Sequence, residues 1–404
     1  MVDDIVTVSK CGDTSSTLNE TVNTFIEQKK LKLNTKKCAK MHIGKKCKKC
    51  PNLTVHGEEM QTSNKEKYLG DYINTLGNTR DTLAARIIRG NAIFVEIRSI
   101  LSEIPLGTRR AEIGLALREA WFVNGCLYNS EVWSNLAAQD VQKLEAIDNK
   151  ILRHILGAHS KVPTEFLHLE TGTLSISSVI AVRRMCYLQT ILKRHKSELI
   201  RRVYFAMKNK PVKGDWIKLV ERDFESINET IDEDQIENQT EKEYKKKIKD
   251  KVRQSAFRNF NEIKLNHSKV KNVEYENLNK PQGYITSNLL NNKQTSMIVN
   301  LRSRCLQGFR KNFGTMYADQ NCPLCGTEPD TQEHALNCHT VKQHMTIGEV
   351  KYEHVFGSIE EQASIANIYL SIQHIRERAV EAPPEDPADQ GMILDQPTSL
   401  PLYN

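Results

Sequence analysis

The most diagnostic stretch of this 404-residue chain reads CPLCGTEPDTQEHALNC and runs from Cys322 to Cys338. It follows the spacing C-x2-C-x8-H-x3-C, with the candidate ligands Cys322, Cys325, His334 and Cys338. Two cysteines separated by two residues bracket a tight turn, whereas His334 and Cys338 share one face of a short helix. Four nitrogen and sulfur ligands with no open position are typical of structural, tetrahedral Zn²⁺. The stretch therefore predicts a small zinc knuckle.

Two alternatives to this ligand set are open. A redox Cys-x-x-Cys pair would explain the two leading cysteines but would leave His334 and Cys338 without a role, and His339 could replace Cys338 as the fourth ligand. A second candidate set consists of Cys38, His42, Cys47 and Cys50. Cys38 and His42 fall in a predicted strand, where residues four apart lie about 13 Å from each other. The sequence therefore favours zinc at the carboxyl-terminal set.

Composition limits the class of protein. The formal net charge is +7, which is a mild indication of a polyanionic partner. The chain has no run of eighteen apolar residues, so we expect no membrane span, and Asp3 and Asp4 lie where a signal peptide would carry positive charge. The uneven use of ten cysteines favours a reducing compartment over a disulfide framework. We therefore expect the protein in the nucleus, the cytoplasm or both.

Hydrophobic periodicity predicts an α+β amino-terminal part that includes a short strand over 65–73. A long, mostly α-helical region and the zinc knuckle are predicted to follow it. The helix predicted from Ala138 to Gly157 shows the pattern well, because Gly157 stands where a C-cap glycine belongs. The predicted units are a palm remnant (1–77), a helical thumb-like domain (78–210), a charged helical connector (211–293), a basic helix with the knuckle (294–345), a short amphipathic helix (346–380) and a disordered tail (381–404).

Three short motifs carry the chemistry of the first unit. Asp3 and Asp4 precede the apolar run Ile5-Val6-Thr7-Val8, and adjacent carboxylates before a strand can hold the two Mg²⁺ ions of phosphoryl transfer. Alone, such a pair is more often a turn or a helix cap. The next two motifs are Leu31-Lys-Leu-Asn34-Thr-Lys-Lys37-Cys38 and Lys67-Tyr68-Leu69-Gly70.

In this order and at these separations, the motifs resemble the reverse transcriptases of non-LTR (long interspersed element type) retrotransposons. The resemblance implies that Asp3 is the main metal-binding carboxylate and Asp4 its neighbour. It also implies that Lys37 protonates the leaving pyrophosphate, although an exposed lysine at a strand start is the simpler reading. Tyr68, Leu69 and Gly70 correspond to the turn that supports the primer end, the primer grip.

The resemblance implies partners as well: RNA and DNA, as template–primer and target DNA. The thumb would contact phosphates through the basic residues Arg80, Arg86, Arg89, Arg98, Arg109, Arg110, Arg118, Arg153, Arg183, Arg184, Lys193 and Arg194. A helix is predicted over 295–313, just before the knuckle, and a metal module often presents such an adjacent basic helix to nucleic acid. Its expected phosphate contacts are Arg302, Arg304, Arg310 and Lys311.

One departure from the family is large: its other catalytic aspartate, on an earlier strand, has no counterpart in these 404 residues. We therefore expect the chain to be the carboxyl-terminal part of an RNA-directed DNA polymerase, and to bind nucleic acid without catalysis when alone. Mg²⁺ would be a cofactor of the intact polymerase only. The alternatives are a zinc-knuckle RNA- or DNA-binding protein retained by a host, and a helical, zinc-stabilised protein-interaction scaffold.

Overall fold

The computed structural model describes residues 5–10, 12–44, 51–104, 109–212, 214–266, 268–275, 277–312 and 319–381. Most of these residues are helical. The α-helices are α1 Gly12–Gln28, α2 Arg80–Glu103, α3 Arg110–Leu117, α4 Asn124–Cys126, α5 Ala138–Leu156, α6 Thr164–Thr171, α7 Ile176–Leu192, α8 Leu199–Asn209, α9 Trp216–Ser226, α10 Glu233–Asn238, α11 Glu241–Asn266, α12 Gly283–Thr286, α13 Asn292–Arg302, α14 Gln332–Asn337, α15 His339–His344 and α16 Ile359–Glu381.

The strands are short and lie in the amino-terminal region. They are β1 Ala39–Lys40, β2 Thr54–Val55, β3 Glu58–Glu59, β4 Gln61–Thr62, β5 Lys65–Tyr68 and β6 Asp71–Asn74. They form three two-stranded sheets: β1 with β4 in parallel, β2 with β3 and β5 with β6 antiparallel. The single strand predicted over 65–73 is therefore wrong, because a turn at Leu69-Gly70 folds this segment into a hairpin.

The amino-terminal region has little core of its own. Among the described residues of 5–77, Ile26 and Val55 are the buried apolar side chains, and neither belongs to a larger cluster. Two-residue strands cannot form a sheet with a continuous apolar face. The fold is thus mostly helical with a few small sheets, and the finer prediction of a palm remnant is not confirmed.

A main hydrophobic cluster joins segments that are far apart in sequence. It takes buried side chains from the first helices of the middle region, such as Ile97 and Leu152, and from the carboxyl-terminal part, such as Ile298, Cys338 and Tyr369. The predicted boundary at 293/294 is not reflected in this packing, because both sides of it contribute to the same cluster. The knuckle is part of the main core.

A second hydrophobic cluster lies within residues 182–252. Met185 and Leu188 of α7 pack there with Val220 and Phe224 of α9 and with Ile248 of α11. α7 and α11 also contribute to the main cluster, through Ile176, Ile180 and Phe260. These two helices therefore connect the clusters, and the predicted boundary at 210/211 falls inside the second one.

The helix predictions differ in outcome. α5 begins at Ala138 and ends at Leu156, and Gly157 is its left-handed C-cap with φ 62°, as predicted. The helix predicted over 295–313 runs instead from Asn292 to Arg302, because Ser303 ends it and Arg304 has φ 50°. None of the helices in the described ranges has the length and apolar composition that a membrane span requires.

Candidate metal centre and predicted nucleic-acid contacts

The metal centre is built from a turn and a short helix. The turn begins at Cys322, whose backbone carbonyl accepts a hydrogen bond from the amide of Gly326 (2.8 Å). The chain then returns, so that the Cys322 amide donates to the carbonyl of Glu328 (2.7 Å). α14 follows, with Thr331 as its N-cap: the threonine hydroxyl accepts from the amide of His334 (3.0 Å). This cap fixes the first turn of α14, which carries the histidine towards the cysteines.

The four predicted ligands come together. Their ligand atoms all lie within 4.8 Å of one another. The Sγ atoms of Cys322 and Cys338 are 4.0 Å apart, and Sγ of Cys325 is 3.3 Å from Nε2 of His334. Sulfur ligands placed about 2.3 Å from a tetrahedral ion are separated by about 3.8 Å. The donor set and its spacing thus fit a tetrahedral Cys3His metal site, compatible with structural zinc.

Neighbouring groups orient these ligands. Nδ1 of His334 donates to Oε2 of Glu328 (3.0 Å), which leaves Nε2 directed at the cysteine side of the site. Burial raises the pKa of the Cys325 thiol, but hydrogen bonds from the Thr327 hydroxyl and nearby amides outweigh it and lower that pKa to about 5. A carboxylate behind the ligating histidine and a stabilised thiolate are both common in zinc sites.

The candidate site is packed against the main core. Cys322 and Cys338 are buried in the main cluster. Between them in sequence, Asp330 is fully buried and forms a two-pronged ion pair with Arg376 of α16 (2.9 and 2.7 Å). His339, the alternative fourth ligand, is exposed and does not belong to the cluster of donor atoms. Cys338 is therefore the better fourth ligand.

The second candidate set of ligands is largely outside the described residues, because Cys47 and Cys50 fall in the range 45–50. Cys38 follows a short 3₁₀ helix (Thr35–Lys37) and is half-buried. Within the described ranges, neither Cys38 nor His42 belongs to a group of three or more potential ligands.

The predicted catalytic residues are not brought together in the described ranges: Asp3 and Asp4 lie outside them, and Lys37 is exposed at the end of the 3₁₀ helix.

The prediction that Arg302 contacts phosphate is wrong. Its side chain is 5% exposed, and Nε donates to Oε1 of Glu170 (3.1 Å), a residue with no exposed surface. The guanidinium also stacks on the rings of Tyr284 and Phe356 at centroid distances of 5.5 and 5.0 Å. Arg302 therefore joins α13 to α6 inside the main core.

The other three basic residues before the knuckle are partly exposed and have local partners. Arg304 forms an ion pair with Glu333, and Arg310 pairs with Asp319 (3.0 Å). Nζ of Lys311 donates to Oε1 of Gln320 (3.0 Å). Phosphate contact by these residues stays a prediction.

The predicted primer-grip residues form the turn of the β5–β6 hairpin, here named the Tyr68–Asp71 turn. Leu69 (φ 47°) and Gly70 (φ 89°) are both left-handed, which is the geometry of a two-residue type I′ turn. Arg86 of α2 donates to the Gly70 carbonyl (3.1 Å) and to Oδ1 of Asp71 (2.9 Å). The amide of the Asn129 side chain donates to the Leu69 carbonyl (3.2 Å). The turn is thus fixed to the helical region.

The sequence reasoning missed a polar cluster in the middle of the fold. Glu145, Asp148 and His168 place potential ligand atoms within 4.8 Å of one another, beside a cleft of about 660 Å³ between the two hydrophobic clusters. Both oxygens of Asp148 accept from Arg118 at 2.6 Å, and Glu145 accepts from the amide and hydroxyl of Ser177. These carboxylates are already satisfied within the protein. No sequence spacing pointed to the cluster, because His168 comes from a different helix than the two carboxylates.

No protein-family model matches this chain, and the comparisons with the curated proteins and with the solved structures found no significant match.

Proposed function

We propose that this chain is part of an RNA-directed DNA polymerase of the non-LTR retrotransposon type, and that by itself it binds nucleic acid without catalysing synthesis. The three motifs around Asp3, Lys37 and Tyr68 support the class. In the intact polymerase the substrates would be an RNA template and a DNA primer, with Mg²⁺ at the aspartates. Binding of both nucleic acids fits a protein that acts in the nucleus or the cytoplasm.

The observation that carries the proposal is the Tyr68–Asp71 turn. Leu69 is held in the left-handed region, which costs a residue with a Cβ atom about 1–2 kcal/mol. Its side chain is 55% exposed, and the ring of Tyr128, which lies against Gly70 of the same turn, is 52% exposed. Strain of this kind persists where the surrounding contacts hold it, and it is concentrated at functional sites. A rigid turn that presents an apolar side chain and an aromatic ring is suited to the end of a nucleic-acid duplex.

The metal centre supports a structural role for zinc in this proposal. Zn²⁺ would be held by Cys322, Cys325, His334 and Cys338, and binding would fix the path of residues 319–338 against α16. One observation favours the second candidate, a helical protein-interaction scaffold: two of the ligands are buried in the main cluster instead of being displayed on a separate knuckle. Nucleic-acid affinity distinguishes the two candidates.

The test uses a fluorescein-labelled DNA primer annealed to an RNA template, with binding followed by fluorescence anisotropy. We expect the 404-residue chain to bind this duplex with an affinity that falls as salt rises. The variant Leu69→Ala should bind about fivefold to tenfold more weakly, because about 1–1.5 kcal/mol of apolar contact is lost. The matched control is Leu289→Ala, since Leu289 is similarly exposed (61%) but lies elsewhere.

Absence of binding at about 50 mM salt, where counterion release favours complex formation, would overturn the proposal and favour the scaffold. If Leu69→Ala and Leu289→Ala weaken binding equally, the Tyr68–Asp71 turn has no specific role in binding. A primer-extension assay with Mg²⁺ and deoxynucleotides tests the second half of the proposal, for which we expect no extension by this chain alone. Any extension would contradict it.

A further inference from the structure

α11 carries a face whose charges are of one sign. Tyr244, Ile248 and Val252 are buried in the second hydrophobic cluster and define the inner side of this helix. At about 3.6 residues per turn, the adjoining side of the helix carries four lysines within an arc of about 100°. We call this surface the lysine face; it consists of Lys242, Lys245, Lys246 and Lys249.

The charges of the lysine face are not neutralised locally. In the part of the chain that the structure describes, none of its four side chains makes an ion pair. The lysines on the other side of the same helix do have partners: Lys247 donates to Gln235, and Lys251 pairs with Glu229. The acidic residues Glu241, Glu243 and Asp250 lie at the borders of this arc, and Asp250 pairs with Arg253 (4.0 Å), not with a lysine of the face.

This segregation is unfavourable for the isolated protein. Lysines three and four positions apart on a helix repel each other, and the face contains four such pairs. An ordinary solvated helix surface mixes charges of both signs and avoids this cost. A bound polyanion removes it, because each negative group neutralises neighbouring lysines at once.

The face also has the position and length of a binding surface. Lys242 and Lys249 are separated by seven residues, which is about 10 Å along the helix axis. α7 packs alongside α11, because Cys186 of α7 lies against the second hydrophobic cluster to which Tyr244 and Ile248 of α11 belong. At the other end Arg253, one turn further on, lines the cleft between the two hydrophobic clusters.

We propose that the lysine face of α11 binds the phosphodiester backbone of a nucleic-acid strand. This inference rests on the proposed function and specifies where the strand contacts the protein. It assigns to lysines at the surface the role that the sequence had predicted for Arg302. Contact through phosphates alone gives an affinity that tolerates any base sequence and depends strongly on salt.

The experiment measures binding of a fluorescein-labelled RNA of about 20 nucleotides, long enough to span several phosphate contacts, and of a DNA of the same sequence, at several salt concentrations. The test variant changes all four lysines of the face to glutamine. The control variant removes the same charge from four exposed lysines elsewhere, on four separate segments: Lys210, Lys271, Lys280 and Lys293. Circular dichroism and urea unfolding show whether each variant is folded.

The expected result is a change in salt dependence. Each single-strand phosphate contact contributes about 0.7 to the slope of log K against log salt, so losing four contacts lowers the slope by about 3. Between about 50 and 200 mM salt the wild-type chain should then lose about 50-fold more affinity than the test variant. The control variant should keep the wild-type slope, and RNA and DNA should behave alike because they share the phosphate backbone.

Three outcomes count against the inference. A wild-type slope in the folded test variant overturns it and leaves the proposed function intact. If the slope falls equally in the test and control variants, binding depends on net charge and not on the lysine face, and the inference is also overturned. If the wild-type chain binds neither RNA nor DNA, the proposed function fails together with the inference.

Discussion

Replacing Glu170 with glutamine should destabilise the protein strongly. Glu170 has no exposed surface and accepts three hydrogen bonds, from Nε of Arg302 (3.1 Å) and from the hydroxyls of Tyr275 (3.0 Å) and Tyr284 (2.5 Å). Burial raises the pKa of both tyrosines well above the usual value, and the charge of Glu170 adds to this, so both hydroxyls remain donors. The variant Glu170→Gln keeps the shape but removes the charge that compensates Arg302.

The magnitude follows from the unpaired cation. Arg302 is 5% exposed and cannot reach water without repacking α13 and the segment around Tyr284. Leaving one partner of a buried ion pair uncompensated costs about 3–5 kcal/mol. We expect the free energy of unfolding, measured from urea titrations at about pH 7, to fall by this amount with an unchanged dependence on urea concentration.

A double-mutant cycle supplies the control. Arg302→Met alone should also destabilise, whereas the double variant should lose less than the sum of the two single variants, by about 2 kcal/mol. Additive losses would show that the two residues do not act as a pair. A loss below about 1 kcal/mol for Glu170→Gln, the size of an ordinary hydrogen bond, would refute the reasoning. Arg302→Met should leave the salt dependence of nucleic-acid binding unchanged.

Three further predictions concern the metal centre and one buried histidine. Cys338→Ser should lose the bound zinc, measured by elemental analysis of the purified chain, whereas His339→Ala should keep one equivalent, because His339 is exposed and outside the donor cluster. Glu328→Gln should weaken zinc affinity about 10- to 100-fold in a chelator competition, since the carboxylate orients His334. Burial, with the charge of Arg118 adding to it, lowers the pKa of His168 to about 4. The unfolded chain therefore binds a proton below about pH 6.5 that the folded one does not. This histidine should lower the free energy of unfolding by about 2 kcal/mol between about pH 7 and pH 5. The variant His168→Gln should lack this contribution.

The sequence predicted the local features of the metal centre well. Ligand spacing within a short segment determines which side chains can reach one ion, so the spacing alone was enough to select Cys322, Cys325, His334 and Cys338. The end of α5 at Gly157 was predictable for a similar reason, since a helix stop depends on the adjacent backbone.

Long-range packing was not predictable in the same way. Nothing near Arg302 in the sequence indicates that Glu170, 132 positions away, will neutralise it inside the core. Hydrophobic periodicity also missed the hairpin over Lys65–Asn74, because its turn depends on a left-handed Leu69, which no propensity favours; the turn at Tyr68–Gly70 was implied only by the family resemblance. The interactions that fix Leu69 come from Arg86 and Asn129, which belong to the next part of the chain.

The different environments of arginine and lysine explain why the phosphate contact predicted for Arg302 is wrong. Five arginines and no lysine are among the buried residues of the described ranges, and each of the five has a carboxylate partner: Arg118 with Asp148, Arg184 with Asp223, Arg201 with Glu237, Arg302 with Glu170, and Arg376 with Asp330. A planar guanidinium is weakly hydrated and makes two parallel hydrogen bonds to a carboxylate, so it suits such interior pairs. A lysine ammonium is strongly hydrated and stays outside. Charge removed from the surface in these pairs is not available to a polyanion. The positive charge that a nucleic acid can contact at the surface is therefore carried largely by lysines. Four of them lie along one face of α11, within about two turns.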